Sequence, residues 1–300
     1  MTDTPRTSSP ARRVLGVDAG GTGTRAVVVE GDQVVDRIEL GPLNILLHAD
    51  SAARLAAVIS ETGVDGAGLG LAGVQSVGDA ESVLAVLRTH TSVPIAVTDD
   101  SEVAVLGAFD GKSGGVVIAG TGSIACGRDD NGRVLRVGGH GFLLGDDGAG
   151  YWIGRECVRA ALREADGSGP ATSATAVVQQ VFGDDVRDAV RRIHEFPTDR
   201  ELLSCLVPIA AAAADAVADE VIEGIFTSAA AHLARLADTL RKHLGPIQVA
   251  MVGGVFRVAT VRAAFVAATG AVPALGPPEI GAVRYAQLKL HEEMAVNDRS

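Results

Sequence analysis

Basic residues are scarce in this chain, and lysine most of all. Lysine occurs at positions 112, 242 and 289 only, and the formal net charge is −11. This balance argues against a cationic surface for nucleic acid or for an anionic membrane. The segment "GAFDGKS" (Gly107–Ser113) is one residue too short for a Walker P-loop and follows a predicted helix. Any phosphate group must therefore be bound by backbone N–H groups and a metal ion.

Cysteines, aromatic residues and long apolar runs are also few. The three cysteines, Cys126, Cys157 and Cys205, are widely spaced, which predicts reduced thiols and a cytoplasmic location. Aromatic residues make up 3 %, so the cores must consist of Val, Leu, Ile and Ala. The longest uncharged segments are shorter than the ~20 residues of a membrane span. The first twelve residues lack an apolar segment, which predicts a disordered tail and not a signal peptide.

The apolar pattern predicts an α/β protein with mixed sheets and flanking helices, and 300 residues favour two domains. In the first hundred residues, short β-branched runs alternate with helical patterns. We expect strands at 14–17, 26–29, 34–40, 67–72 and 94–98, with helices capped by Asp50 and around 83–87. After Gly114, three short strands again follow one another, at 116–119, 124–127 and 134–137. This recurrence indicates an internal duplication of one α/β unit.

The rest of the second half is mainly helical. Helices are expected from Tyr151 onward, and the longest pattern spans Asp215 to Leu244, with apolar residues from Val217 to Leu240 at three- and four-residue steps. A strand at 249–252, a helix at 261–268 and a last helix at about 281–294 follow.

The stretch "VLGVDAGGTGTRAVVVE" (Val14–Glu30) places Asp18 at the mouth of a glycine turn between two predicted strands. Glycines at 20, 21 and 23 allow close approach of a ligand, and their N–H groups can bind phosphate oxygens. Asp18 could hold Mg²⁺, which takes one or two carboxylates together with phosphates and waters. Taken alone, the stretch is equally compatible with a tight hairpin. Another pattern, "GLGLAG" (Gly68–Gly73), is interpreted as a strand because no helix opens within it.

Four further motifs follow along the chain: "VTDD" (Val97–Asp100), "GTGS" (Gly120–Ser123), "GGHGFLLGDDGAGYWIG" (Gly138–Gly154) and "VGG" (Val252–Gly254). "GTGS" lies between the first two strands of the second half, as the opening glycine turn does in the first. Together the five motifs resemble the actin-like ATPase and sugar-kinase superfamily. Within it they resemble the BadF/BadG/BcrA/BcrD-type family, with its N-acetylglucosamine and glucosamine kinases. The resemblance runs from about Val14 to the last helix, and implies two actin-like (ribonuclease H-like) ATPase domains around an interdomain cleft.

The resemblance implies an enzyme that transfers the γ-phosphoryl group of ATP, with Mg²⁺, to the 6-hydroxyl of N-acetylglucosamine or glucosamine. It assigns the phosphate contacts to residues of the two glycine turns, namely Gly20, Gly21, Thr22, Thr121 and Gly122. Asp18 would orient the metal ion, and Gly253 and Gly254 would flank the adenosine.

The acceptor side follows from the same resemblance. Asp99 matches the family's catalytic aspartate, which accepts the proton of the sugar's primary hydroxyl. Asn44 in "GPLNILL" and Asp146 in "LLGDDG" match sugar-binding residues, with Gly139 and His140 in the same group. His140 stands where N-acetylhexosamine kinases of this family often have tryptophan, so the substituent on the sugar nitrogen stays open. A turn role for Asp99 and a helix-cap role for Asp146 also stay open.

The domain bounds and the rival functions complete what is expected from the sequence. We expect a tail at 1–12, an N-terminal domain at 13–110 and a C-terminal domain at 111–280, with the last helix, about 281–296, packing back on the first domain. A homodimer is expected by analogy. One rival is an ATPase activator of a radical dehydratase with a bridging iron–sulfur cluster, although Cys126 and Cys157 lack a cluster spacing. The remaining rivals are a kinase for N-acetylmuramic acid and a non-catalytic sugar sensor.

Overall fold

The computed structural model describes residues 12–20, 23–43, 49–74 and 76–297 of the chain. The predicted tail up to residue 11, Gly21, Thr22 and Asn44 lie outside these residues. The chain forms two compact units. Of the described residues, those up to Ser113 and those from Ala274 onward form the first unit, and Gly114–Pro273 forms the second. Within the described ranges, none of the helices has both the length and the apolar character needed to cross a membrane.

The first unit is built on a five-stranded mixed sheet with the order β3-β2-β1-β4-β5. Its strands are β1 (Arg13–Ala19), β2 (Thr24–Glu30), β3 (Gln33–Leu40), β4 (Gly66–Leu71) and β5 (Ile95–Asp99). The first three strands form an antiparallel meander, and β4 and β5 continue the sheet in parallel with β1. The carboxyl ends of β1, β4 and β5 therefore lie along one edge of the sheet. "GLGLAG" forms β4 and the turn after it, as the sequence predicted.

Helices cover both faces of this sheet. They are α1 (Ala49–Glu61), α2 (Val77–Leu87), α3 (Asp100–Ala108) and, from the end of the chain, α11 (Pro278–Asn297). Leu55 and Ile59 of α1 pack against Leu15 and Leu69 of the sheet. On the other face, residues of α11 pack on β1 and β2 through Val14, Val27, Val29, Val283 and Ala286. Asp50, which was expected to cap α1, lies instead in its first turn because the helix begins at Ala49.

The second unit repeats the strand order of the first. Its strands are β6 (Gly114–Ala119), β7 (Ser123–Arg128), β8 (Val134–Gly138), β9 (Val249–Val252) and β10 (Val272–Pro273). They pair in the order β10-β9-β6-β7-β8, with β6–β8 as an antiparallel meander and β9 parallel to β6. Both sheets thus have the order third, second, first, fourth, fifth, which confirms the predicted duplication and the α/β class.

Most of the second unit is helical. Its helices are α4 (Gly150–Ala165), α5 (Ala174–Phe182), α6 (Arg187–Glu195), α7 (Glu201–Ser204), α8 (Leu206–Ala216), α9 (Glu220–Leu244) and α10 (Ala259–Thr269), with a 3₁₀ turn at Gly254–Arg257. Phe226 and Phe265 are the largest buried side chains of its core. The remainder of that core is mainly Val, Leu, Ile and Ala, as the composition predicted.

The long helix predicted from Asp215 to Leu244 is interrupted. One helix ends at Ala216 and the next begins at Glu220, so Val217 lies between them with 65 % of its surface exposed. The cause is Asp219, whose carboxylate accepts hydrogen bonds from the N–H groups of Val221 (2.9 Å) and Ile222 (3.1 Å) and so begins a new helix. The apolar stripe from Val221 to Leu240 faces the core as predicted.

Asp219 also ties the start of α5 to the start of α9. Its second oxygen accepts hydrogen bonds from Thr172 Oγ1 (2.8 Å) and from the N–H of Ser173 (2.6 Å). Burial acts to raise the pKa of Asp219, but the hydrogen bonds from Ser173, Thr172 and Ile222 outweigh it and hold that pKa at about 2. The folded state therefore favours the ionised carboxylate.

Replacing Asp219 by Ala is expected to lower the free energy of unfolding by roughly 2–4 kcal/mol at pH 7, since it leaves several N–H and O–H donors without their acceptor. The lowered pKa means that the ionised group stabilises the fold above its unfolded pKa of 3.8 and that this contribution disappears as the pH falls through about 2. Urea unfolding at a series of pH values measures both effects. Equal stability of variant and wild type at pH 7 would contradict the assignment, and Asp238→Ala, at an exposed position of α9, serves as the control.

Candidate functional site

Two predicted site residues of the first unit lie at the same sheet edge. Asp18 is the penultimate residue of β1, and Asp99 is the last residue of β5. β1 and β5 each pair in parallel with β4, and in this register Asp18 lies opposite Gly70 and Asp99 opposite Leu71. Ligands of open α/β sheets bind outside the carboxyl ends of the parallel strands. The position of both carboxylates at this edge thus supports a functional site there.

Asp18 is a buried carboxylate with one close cation. It is 9 % exposed, and its Oδ2 accepts a hydrogen bond from Arg25 Nη2 at 3.1 Å, across the β1–β2 pair. Burial raises the pKa of Asp18 to about 6; Arg25 opposes the shift, while the negative charge of Asp100 adds to it. A carboxylate with incompletely compensated charge favours a cation. Because Mg²⁺ takes one or two carboxylates and fills its other positions with water and phosphate oxygens, Asp18 fits it.

One carboxylate oxygen of Asp99 is held by the start of α3. Its Oδ1 accepts hydrogen bonds from the N–H groups of Ser101 (2.7 Å) and Glu102 (3.1 Å) and from the Ser101 hydroxyl, so Asp99 is the N-cap of α3. Its Oδ2 receives no hydrogen bond from the described residues. The cap fixes the side chain and leaves Oδ2 for an incoming hydroxyl group. Asp100 does not continue the strand, because α3 begins at that residue.

Each glycine turn is closed by a hydrogen bond between two of its own glycines, over three residues in the first unit and over two in the second. In the first, the N–H of Gly20 donates to the carbonyl oxygen of Gly23 at 3.0 Å; in the second, the N–H of Gly120 donates to that of Gly122 at 2.9 Å. The turn of the second unit is also tied to the start of α4. The N–H of Gly150 donates to the carbonyl oxygen of Gly120 at 2.8 Å. The N–H of Tyr151 donates to the carbonyl oxygen of Thr121 at 3.0 Å. The first turn of α4 thus fixes the conformation of the Gly120–Thr121 segment.

Asp146 lies beneath the second turn. It is 6 % exposed, and its Oδ1 accepts a hydrogen bond from the N–H of Ser123 at 3.2 Å. A Cβ at position 122 would lie 2.7 Å from Asp146 Oδ2, so any residue larger than glycine there requires the Asp146 carboxylate to shift. Burial raises the pKa of Asp146, and its φ of 58° is unusual for a residue with a side chain. The proposed helix-cap role fails, because the N-cap of α4 is Ala149 and no side chain caps that helix.

Ser123 connects the predicted sugar-binding residues of the second unit. Its N–H donates to Asp146, and its carbonyl oxygen accepts from the N–H of Gly139 at 3.1 Å. His140 follows Gly139 and is exposed. The structure therefore brings Gly139, His140 and Asp146 next to the Gly120–Ser123 turn, although their contacts with sugar stay a prediction. Sequence reasoning assigned no role to Ser123, which is the last residue of "GTGS".

A cavity of about 550 Å³ lies in the second unit and contains two of the predicted nucleotide-binding residues. Thr121 and Gly254 both line it, together with Gly120 and Gly150. Gly253, which precedes Gly254 in the chain, has a φ of 109°. A Cβ at Gly253 would lie 2.3 Å from the carbonyl oxygen of Ala119. Its close contact with β6 therefore requires glycine. The volume falls within the range of small-molecule sites, about 300–1,000 Å³.

The remaining walls of this cavity were not predicted. One wall is formed by Ser204 and by α8, through Val207, Pro208, Ala211, Ala212 and Asp215; the facing wall contains Val255, Arg257 and Val258. The sequence signal was the spacing of small residues along "LVPIAAAAADA", which repeats at three- and four-residue steps. Nothing in the sequence shows that this helix faces Thr121, which precedes it by more than eighty residues.

Most of the chain matches the model of a known protein family. A family model described as the BadF/BadG/BcrA/BcrD ATPase family matches residues 15–283. An N-acetylmuramic acid/N-acetylglucosamine kinase of Clostridium acetobutylicum is 32 % identical over 174 residues, which are 53 % of this chain and 56 % of the relative. The glucosamine kinase GspK of Vibrio cholerae is 31 % identical over 191 residues, or 59 % of this chain and 63 % of the relative. The matches thus span about three-fifths of these curated relatives.

The fold is also similar to that of solved structures. A putative N-acetylglucosamine kinase from Chromobacterium violaceum has a TM-score of 0.73 at 23 % identity, over 92 % of this chain and 99 % of the other. A ROK family glucokinase from Streptomyces griseus, in complex with glucose and AMPPNP, has a TM-score of 0.58 at 17 % identity, over 92 % and 98 %. At these identities the likeness establishes a shared two-sheet fold.

Proposed function

Since this chain belongs to the BadF/BadG/BcrA/BcrD ATPase family, we propose that it is an ATP-dependent amino-sugar kinase that phosphorylates the 6-hydroxyl of N-acetylglucosamine or glucosamine. The observation that carries the proposal is Oδ2 of Asp99, which accepts no hydrogen bond from the part of the chain that the structure describes and is held at the carboxyl end of β5 by the cap on α3. The kinase names of the curated relatives support it. The family description supports ATP as the donor.

In the proposed reaction, the hydroxyl oxygen of the sugar attacks the γ-phosphorus while Asp99 accepts the hydroxyl proton. The bond between the γ-phosphorus and the oxygen that bridges it to the β-phosphate breaks. The products are a sugar phosphate and ADP. Phosphoryl transfer depends on positioning and on neutralisation of charge, and the base must lie within hydrogen-bond reach of the attacking hydroxyl. The cap on Oδ1 supplies the positioning by restricting rotation of the Asp99 side chain.

The nucleotide is proposed to bind the second unit. The N–H groups of Thr121 and Gly122 serve its phosphates, since that of Gly120 already donates within the turn, and the cavity beside Thr121 and Gly254 serves its nucleoside. Asp18 would hold Mg²⁺, which neutralises phosphate charge when bound. Gly20, Gly21, Thr22 and Asn44 keep their predicted roles in phosphate and sugar binding. Gly139, His140 and Asp146 are proposed to contribute to the sugar site.

An iron–sulfur activator has no support among the described cysteines. Cys126 and Cys157 are buried, and burial raises the pKa of the Cys157 thiol to about 12, which disfavours the thiolate that a cluster requires. Cys205 is exposed and lies between α7 and α8. Magnesium dependence, a homodimer and a cytoplasmic location stay predictions.

A panel of acceptors tests the proposal. ADP release should be measured with glucosamine, N-acetylglucosamine, N-acetylmuramic acid and glucose, each with ATP and Mg²⁺. We expect release that depends on an amino sugar and exceeds that with glucose. Preference for N-acetylmuramic acid would correct the substrate and keep the reaction. Sugar binding without ADP release would indicate a sensor. ADP release at the same rate with and without each sugar would indicate an ATPase. Either result would overturn the proposal.

A further inference from the structure

We propose that Ser123 is a positioning residue that couples the sugar site to the phosphate site of the second unit, so that each ligand strengthens the binding of the other. The inference rests on the proposed function, because it assumes that Thr121 and Gly122 bind phosphate and that Asp146 binds sugar. Ser123 itself has no part in the proposed binding of either ligand.

The phosphate turn, Gly120–Ser123, is hydrogen-bonded at both ends to the segment Gly139–Tyr151, which carries predicted sugar-binding residues. At its start, the carbonyl oxygens of Gly120 and Thr121 accept hydrogen bonds of 2.8 and 3.0 Å from N–H groups in the first turn of α4. At its end, the carbonyl oxygen of Ser123 accepts a hydrogen bond of 3.1 Å from the first N–H of the segment. A change in the backbone of the turn therefore breaks hydrogen bonds with the segment, and the reverse also holds.

Ser123 also holds the middle of this segment. It is 5 % exposed, its N–H donates to Asp146 Oδ1 at 3.2 Å, and its hydroxyl donates to the carbonyl oxygen of Asp147 at 3.2 Å. Asp146 has a φ of 58°, a conformation that a residue with a side chain keeps when its surroundings hold it there. Ser123 thus fixes the Asp146 carboxylate through one bond to the side chain and one to the backbone that follows it.

The Asp146 carboxylate in turn lies against Gly122. A Cβ built at Gly122 would lie 2.7 Å from Asp146 Oδ2, so the carboxylate is close to an N–H group that is proposed to bind phosphate. At this range its negative charge opposes the binding of a phosphate group. Burial raises the pKa of Asp146, and within the described residues the carboxylate receives no hydrogen bond besides that of Ser123. The charge is therefore incompletely compensated by the protein.

These contacts give the coupling a positive sign. A sugar hydroxyl or amino group that donates a hydrogen bond to Asp146 reduces the repulsion between this carboxylate and a phosphate at Gly122. The same bond holds Asp146 against Ser123, so the turn is partly ordered before the phosphate binds, which lowers the entropy cost of binding. By linkage, the nucleotide strengthens sugar binding by the same factor. The Ser123 hydroxyl is required because it keeps the backbone of the segment against the turn.

Calorimetric titration with Mg·ADP tests the coupling, since ADP has no γ-phosphoryl group to transfer. The coupling factor is the ratio of the dissociation constants of Mg·ADP without and with saturating glucosamine or N-acetylglucosamine. We expect a factor of about ten in wild type and a factor about fivefold smaller in Ser123→Ala, as for the loss of one hydrogen bond. A merely structural role of Ser123 would weaken both titrations equally and leave the factor unchanged.

The matched control is Ser82→Ala. It removes a hydroxyl that also donates to a main-chain carbonyl oxygen, that of Gly78 at 2.7 Å, at an exposed position of α2. This variant should keep the coupling factor of wild type.

Gly122→Ala gives a second and crossed readout. The backbone of Gly122 is outside the left-handed region, so alanine is not strained there, but its methyl group displaces the Asp146 carboxylate. We expect sugar titrated without any nucleotide to bind about tenfold more weakly, although Gly122 belongs to the phosphate turn. The control is Gly224→Ala on α9, where a Cβ meets no atom within 4 Å and sugar affinity should not change. Circular dichroism of each variant checks the fold.

Three results would each overturn the proposal: a coupling factor near one in wild type, an unchanged factor in Ser123→Ala, or unchanged sugar affinity in Gly122→Ala. A protein that phosphorylates an amino sugar and gives one of these results would retain the proposed function and lose this inference. A protein that loses its coupling in Ser123→Ala but forms no sugar phosphate from ATP would retain this inference and lose the proposed function. Absence of sugar binding would overturn both.

Discussion

Replacing Asp99 by Asn is expected to lower the turnover of the amino-sugar kinase reaction by about 100- to 10,000-fold, the contribution typical of a general base. The amide cannot accept the proton of the sugar hydroxyl at Oδ2. Because Asn is as good an N-cap as Asp, it still accepts hydrogen bonds from the N–H groups of Ser101 and Glu102. We therefore expect the free energy of unfolding and the affinity for sugar to stay close to those of wild type.

The matched control for this variant is Asp199→Asn. Asp199 accepts hydrogen bonds from the N–H groups of Glu201 (3.1 Å) and Leu202 (3.2 Å), the same two- and three-residue pattern that Asp99 shows. This control should keep its turnover, since Asp199 is exposed and has no proposed role in binding. Steady-state rates and sugar titrations of both variants make the comparison. Turnover near that of wild type in Asp99→Asn would remove the base assignment.

Replacing Asp18 by Asn is expected to weaken magnesium–nucleotide binding and, in the absence of metal, to stabilise the protein. Ionised Asp18 is held in a buried position, and Arg25 compensates its charge incompletely. Removing that charge should raise the free energy of unfolding by about 2 kcal/mol at pH 8. Function-bearing residues often lower stability in this way.

The raised pKa of Asp18 determines how the stability difference between Asp18→Asn and wild type depends on pH. The folded-state pKa of Asp18 is about 6, above its ordinary value of 3.8, so the folded protein binds the proton more tightly than the unfolded chain does. Stability of wild type therefore falls as the pH rises from about 4 to about 6, and the cost is full above that range. The difference from Asp18→Asn should vanish below about pH 4. Chemical unfolding in EDTA measures it, with the exposed Asp36→Asn as the control.

If Asp18→Asn were instead less stable than wild type at pH 8, the carboxylate would have a structural role through its contact with Arg25. If the variant bound Mg·ADP as tightly as wild type, Asp18 would not hold the metal ion. The two measurements are independent, so each part of the prediction fails separately.

The fold could be predicted from the sequence because its strands and most of its helices are marked by local patterns. The runs at Val14–Val17 and Val116–Ala119 are short and apolar, and each is followed by a glycine turn. The recurrence of that order revealed the duplication. The helix break at Asp219 was missed because the apolar spacing continues through it, and the cap depends on Thr172 and Ser173, which are remote in the sequence.

The candidate site was less predictable, because its contacts join distant segments. Asp146 could be identified from its motif, but its burial beneath Gly122 depends on the Ser123 N–H, 23 residues away. The role of Asp99 as a cap does follow from a local pattern, since an aspartate precedes a helix there. The α8 wall of the cavity could not be placed, since periodicity predicts a helix and not the surface it faces.

A phosphorus NMR spectrum of the protein incubated with ATP, Mg²⁺ and glucosamine or N-acetylglucosamine measures the proposed transfer directly. The predicted result is a new phosphomonoester signal split by the two protons on carbon 6, formed in step with ADP and lost in Asp99→Asn. Inorganic phosphate as the only new product, or a phosphate attached at the anomeric carbon, would contradict the transfer to the 6-hydroxyl.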